Sequence, residues 1–206
     1  MTKFRQTLDK FRMILEEKEQ VREELLKLTR EMRINSTKAV AFLHAGDLKK
    51  AEEHLNKALE LMEKIYEFRK YPDIYYPITH DAMQELVEAY SFYHVLKHEN
   101  LDIDFLKLKA EIPAILTGLA DMVGEIRRYT LDILRKGEDF EKAEKMIKIM
   151  EEIYSNLLPF TNFPDKLIPN LRPKVDYIRG AIERTKSDFI AAKVASIEKI
   201  EKIIKT

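Results

Sequence analysis

The chain has 206 residues and balances 36 Lys and Arg against 36 Asp and Glu, so its formal net charge is zero. Bulk charge therefore gives no reason to expect nucleic-acid binding, which would need a local basic patch. The absence of cysteine excludes a disulfide framework and any Cys-ligated zinc or iron–sulfur centre. A 45% hydrophobic, 35% charged composition suits amphipathic helices rather than disorder. The opening MTKFRQTLDKFRMILEEKEQ has no apolar signal core, and no apolar run approaches the roughly 20 residues of a spanning helix. These features predict a cytoplasmic, all-α protein with residues 1–206 as one domain.

The scarce glycines and prolines punctuate the periodic segments. A long helix is expected from about Lys3 to Ala45, with Leu25, Leu28, Met32, Val40 and Leu43 at helical spacings. Gly46 suits its C-terminal exit, and Asp47 caps a second helix over Leu48 to Arg69. Pro72 and Pro77 mark a connector, with Thr79 as N-cap of a third helix over His80 to His98. A short helix over Asp102 to Lys109 precedes a long one from Ile112 to Arg135, with Pro113 in its first turn and Gly137 after its end. Asp139 to Leu158 forms the next helix. The segment PFTNFPDKLIPNLRP holds four prolines and reads as the longest loop, followed by a last helix from Lys174 to the C-terminus. No stretch alternates with period two, so no sheet is expected. HAGDLKKAEEHL and RKGEDFEKAEKM look alike, but surface helices that start after Gly and an acid share that look.

Two of these helices carry an anomaly. Between Ile112 and Ile126 the residues are apolar or small except Thr117, Asp121 and Glu125. A helix hydrophobic on most faces is a buried one, and an unpaired buried carboxylate costs several kcal/mol or becomes neutral. Asp121 and Glu125 are four apart and share a face. Gly118 and Gly124 each cost about 1 kcal/mol in a helix and suit a close approach of another helix or a ligand. The third helix repeats the pattern, with Glu85 and Glu88 three apart among apolar residues. Packed together, the two helices would bring four carboxylates into one cluster. Hard divalent cations relieve such repulsion best, Mg²⁺ foremost with Mn²⁺ as a substitute, and such ions serve phosphodiester hydrolysis. The competing reading pairs the four acids with buried Arg or Lys, or points them into an oligomer interface. A di-iron site would want Glu-x-x-His pairs, and Ser91 and Gly124 occupy the positions where histidine would stand.

The other candidates read more plainly. His94 and His98 are four apart and would bind a metal together, although a hydrogen-bonded or surface role is the simpler reading. His80 suits a helix N-terminus. Arg127 and Arg128 follow Glu125 and are placed to meet phosphate. Nucleotide-binding loops and the GxSxG nucleophile motif are absent.

The acidic segments also carry a family resemblance. Glu85-Leu-Val-Glu88-Ala-Tyr-Ser91-Phe92-Tyr-His94 resembles the E-x-V-E-A-x-S-F-x-H stretch of the translin/TRAX family. Gly118-Leu-Ala-Asp121-Met-Val-Gly124-Glu125-Ile-Arg127 resembles its G-x-A-D-L-x-G-E-L-x-R stretch. Leu25-Leu-Lys-Leu-Thr-Arg-Glu, with Lys38 and Phe42-Leu43-His44, resembles its first helix, and Tyr177 with the helix after it matches the closing segment loosely. The resemblance is to the TRAX side and implies a seven-helix bundle assembled into octameric shells. It also implies Mg²⁺-dependent endoribonuclease activity on single-stranded RNA, with Glu85, Glu88, Asp121 and Glu125 as catalytic metal-holding residues. A homo-oligomer follows from a chain that carries the whole set. One departure is that Tyr75-Tyr76-Pro77-Ile78-Thr79-His80 does not match the basic RNA-binding stretch of translin, so no RNA-binding residue is carried over from it. The alternative from another class is a non-catalytic oligomer that binds single-stranded RNA or DNA.

Overall fold

A computed structural model describes residues 2–137 and 139–204, with side chains to Glu198. Met1, Glu138 and the last two residues, which the expected domain and helices include, lie outside the described residues. Six long helices follow one another: α1 Lys3–His44, α2 Leu48–Tyr66, α3 Pro72–His98, α4 Ile112–Lys136, α5 Phe140–Leu157 and α6 Leu171–Ile204. Single 3₁₀ turns span Glu67–Lys70, Phe105–Leu108 and Leu158–Asn162. The all-α class is as expected. Among the described residues the long helices number six rather than seven, because the segment read as a short helix after His98 is only a 3₁₀ turn.

Local chemistry sets most boundaries. Asp47 and Asp139 cap α2 and α5 by accepting hydrogen bonds from the Lys50 and Lys142 backbone N–H groups at 3.1 and 2.8 Å. Gly46 and Gly137 adopt φ of 77° and 70°, the left-handed conformation that ends α1 and α4. Pro113 lies in the first turn of α4 as expected. The proline-rich loop ends earlier than expected, with α6 starting at Leu171 and Pro173 in its first turn.

The start of α3 differs from the sequence reading. Residues 72–79, read as a connector, are helical, and Pro77 sits inside the helix. Tyr75, Thr79, Met83 and Leu86 fall on one face and are fully buried. Burying a large side chain contributes about 1.5–3 kcal/mol, enough to offset the missing proline N–H in a first-turn region whose freed carbonyl, on exposed Asp73, can meet water. Lys18 to Asp73 at 2.6 Å and Tyr71 to Glu17 at 2.7 Å tie this end to α1. Thr79 is therefore no N-cap; its hydroxyl donates to the Tyr75 carbonyl at 2.8 Å. His80 lies mid-helix, not at a helix N-terminus.

Two apolar clusters make the core. One joins α1, α2 and α3 around Leu25, Met32, Met62, Tyr75 and Met83; the other joins α3, α4, α5 and α6 around Phe92, Met122, Ile126, Met146 and Ile178. The α3–α4 pair is the seam between them, and it carries all four candidate carboxylates.

Gly118 sets the closeness of that seam. A Cβ there would stand 2.6 Å from the Gln84 carbonyl oxygen of α3 and 2.8 Å from Val87 Cβ. The close approach expected of Gly118 is thus observed. At Gly124 no atom lies within 4 Å of such a Cβ, so helix packing does not require that glycine. Gly118→Ala should destabilise the protein by about 1–3 kcal/mol through overpacking against backbone. Gly124→Ala should stabilise it by up to about 1 kcal/mol through helix propensity. Urea unfolding midpoints of the two variants check the opposite signs.

Candidate active site

Glu85 and Glu88 leave α3 on successive turns, and Asp121 and Glu125 leave α4 on successive turns. The helix pair brings the four together closely enough that Asp121, Glu125 and Glu85 all act electrostatically on Glu88. Burial first, and then those three charges, push the Glu88 carboxyl up from 4.5 to about 8; Lys174 opposes this. Glu88 alone of the four forms no ion pair among the described residues.

The other three carboxylates are each engaged by a basic side chain from a neighbouring helix. Glu85 faces α1, where Arg33 Nη2 stands 3.3 Å away and the Thr37 hydroxyl donates at 3.4 Å. Asp121 takes both its oxygens to Lys174 Nζ of α6, at 2.5 and 2.7 Å, and accepts a further bond from Gln84 Nε2 at 2.7 Å. Glu125 is bonded to His44 Nε2 at the end of α1, and Arg128 Nη1 approaches it at 4.0 Å. The His44 bond holds the Glu125 carboxyl below its ordinary range against the opposing effect of burial. His44 itself is almost wholly buried, its ring 5.1 Å from that of Phe92, with Nδ1 lacking a partner.

Both readings bear on this arrangement: Asp121, Glu125 and Glu85 all act on Glu88, while Lys174, His44 and Arg33 engage those three. Among the described residues no three Asp, Glu or His side chains are placed together as a ready metal cage. A cation entering there would take Asp121 from Lys174 and Glu85 from Arg33. The fit to a hard dication rests on donor chemistry: all four donors are carboxylates, and burial, aided by the charges of the other three, keeps a proton on Glu88 near neutral pH.

The remaining candidates divide. Arg127 does not face the acids; its Nη2 bonds Asp188 of α6 at 3.2 Å. Arg128 is exposed beside Glu125 and remains available to an anion. The His94 and His98 rings lie 4.7 Å apart, and His94 Nε2 is engaged with Asn100 Oδ1 at 2.9 Å. Sequence reasoning missed Arg33, Gln84 and Lys174 as partners of the acids. Gln84 adjoins Glu85 and is legible as a polar residue on the same helix; Arg33 and Lys174 lie on helices whose packing no local pattern reveals.

The fold and site define an all-α helical protein with a carboxylate centre built across its central helix pair. The chain belongs to the Translin family, whose model matches residues 20–203. It is 32% identical over 182 residues to the uncharacterized protein MJ0175 of Methanocaldococcus jannaschii, covering 85% of this chain and 78% of that one. It is 23% identical over 193 residues to the translin-associated protein X homolog of Schizosaccharomyces pombe, covering 84% and 81%. Among solved structures, the crystal structure of AfC3PO superposes with a TM-score of 0.87 at 53% identity, covering 92% of this chain and 98% of that one. The AfC3PO complex with duplex RNA superposes equally well, at 0.87 and 53%, covering 92% and 97%.

Proposed function

We propose that the protein is a divalent-metal-dependent endoribonuclease of TRAX type, acting on single-stranded RNA within a homo-oligomeric, octameric helical shell in the cytoplasm. The observation that carries this reading is Glu88, a largely buried carboxyl that feels the charges of three others and forms no ion pair among the described residues. The kinship with a translin-associated protein X homolog and with AfC3PO, which has a structure with duplex RNA, supports RNA as the ligand. The apolar residues Phe4, Leu8, Phe11 and Leu15, exposed along the start of α1, support assembly with further copies. No described helix is long and apolar enough to cross a membrane.

Glu85, Glu88, Asp121 and Glu125 would hold Mg²⁺, or Mn²⁺ in its place. Such an ion, when bound, neutralises the carboxylates and polarises a phosphodiester. The rest is the work of the chain. His44 fixes the orientation of Glu125, and Gln84 that of Asp121. Arg128 offers an exposed guanidinium to the phosphate beside Glu125. Without the ion, burial and its three neighbours keep a proton on Glu88 near neutral pH, and that proton must leave before the carboxylate can hold a cation.

The second reading, a non-catalytic oligomer that binds RNA or DNA, is favoured by the pairing of Glu85, Asp121 and Glu125 with Arg33, Lys174 and His44. Incubating the protein with end-labelled single-stranded RNA, in Mg²⁺ or in EDTA, separates the two. Internal cleavage in Mg²⁺ alone is the expected result. RNA retained but uncut under both conditions would establish the binding oligomer instead.

A further inference from the structure

Beside Asp121 a cavity of about 240 Å³ opens between α4 and α6, lined by Ala120, Asp121, Asn170, Pro173, Lys174 and Tyr177. One of its walls is thus a candidate catalytic carboxylate, and the other is the first turns of α6. Lys174, Tyr177 and Arg184 are separated by three and seven residues and fall on one face of that helix. Tyr177 is 60% exposed, unusual for an aromatic that borders a cavity. The Arg184 guanidinium lies 5.9 Å from its ring centroid.

Gly180 explains how Arg184 gets there. A Cβ at position 180 would stand 3.1 Å from Arg184 Nη1, tighter than ordinary contact. A glycine in a helix interior costs about 1 kcal/mol relative to alanine. Here it leaves the guanidinium room to lie back along the helix toward Tyr177. The result is an aromatic ring under a guanidinium, at the mouth of a cavity whose inner wall is the Lys174–Asp121 pair. That combination suits an unpaired nucleotide: a base stacks on an aromatic whatever its identity, and the guanidinium meets an adjoining phosphate. The cavity offers room for a base, whose flat apolar face its Ala120, Pro173 and Tyr177 walls suit.

We propose that this α4–α6 cavity is a nucleotide subsite, in which one unpaired base of an RNA strand stacks on Tyr177 while Arg184 donates to a flanking phosphate, bringing the adjoining phosphodiester beside Asp121. It rests on the nuclease reading only for that last step. Asn170, in a left-handed conformation with φ of 62°, borders the cavity and supplies an amide to the base edge.

The test uses a single-stranded oligouridine carrying one central 2-aminopurine, with the full-length protein in EDTA so that no cleavage intervenes. Binding is followed by anisotropy and stacking by quenching of the 2-aminopurine. Tyr177→Leu should weaken binding about tenfold and abolish the quench, on the scale of one base–aromatic stack. Tyr177→Trp should restore both. Because the ring is exposed, the leucine variant should melt like wild type. Wild-type affinity and quench in Tyr177→Leu would overturn the subsite. Cleavage of the same RNA in Mg²⁺ is measured alongside by wild type. Tyr177-dependent quenching without cleavage would sustain the subsite and sink the nuclease, whereas cleavage with a Tyr177-independent quench would do the reverse.

Discussion

Glu88→Gln should make the protein more stable in EDTA, and the gain should grow with pH. The sign follows from the raised pKa. An unfolded glutamate ionises near 4.5, while the folded Glu88 holds its proton to about 8. Between those values the folded state binds more protons than the unfolded one, so wild-type stability falls as pH rises. Glutamine has no proton to lose. The variant should match wild type near pH 4.5 and exceed it above pH 8 by on the order of 3 kcal/mol. A tenfold change in proton affinity is worth about 1.4 kcal/mol, and solvent reaching the partly exposed carboxyl screens some of the full effect. Thermal melting of both proteins across this range reads the difference directly, since the titrations of other carboxylates are common to both. Parallel pH curves would mean that Glu88 is neither desolvated nor crowded by its neighbours. Millimolar Mg²⁺ at pH 8 should reverse the ranking, stabilising wild type more than the variant.

The double variant Asp121→Asn with Glu125→Gln should lose RNA cleavage by at least about a hundredfold, the scale on which removing one group aimed at developing charge is felt. RNA binding in EDTA should persist, because neither carboxylate attracts a phosphate. Single-turnover cleavage and anisotropy on the same preparation separate the two effects; undiminished cleavage would place the chemistry elsewhere. Like-charge repulsion alone would predict that these variants gain stability. The ion pairs alter that expectation. Asp121→Asn would leave the Lys174 ammonium, three-quarters buried, without its carboxylate, and Glu125→Gln would weaken the anchor of His44. A modest loss of melting temperature is therefore expected here, in contrast to Glu88→Gln.

The contrast shows what local sequence can carry. Helix class, caps at Asp47 and Asp139, and exits at Gly46 and Gly137 depend on neighbours within a turn, and all are legible. The anomaly of acids in apolar helices is legible too, because a face shared at three or four residues is a local property. The start of α3 is not. Two prolines outweigh Tyr75 and Thr79 in a local reading, yet burial against α1 decides the outcome. The partners of the acids are equally hidden: Arg33 lies 52 positions from Glu85 and Lys174 lies 53 from Asp121, distances across which only packing speaks. Two glycines that look alike in sequence, Gly118 and Gly124, differ in the fold, because no local pattern says which one faces a neighbouring backbone.

Gly118 carries a consequence for ion preference. Glu85 and Glu88 belong to one helix and Asp121 and Glu125 to another, so any ion they share must bridge the gap between the two backbones. That gap is fixed where hydrogen, rather than methyl, meets the Gln84 carbonyl. A methyl there would widen it by tenths of an ångström, comparable to the difference between bonds of about 2.1 Å to Mg²⁺ and about 2.4 Å to Ca²⁺. The ionic radius a site of this design accepts is therefore governed by a residue that never touches the ion. Drift in cation choice among its relatives would be written in the backbone spacing at this crossing before it reached any carboxylate.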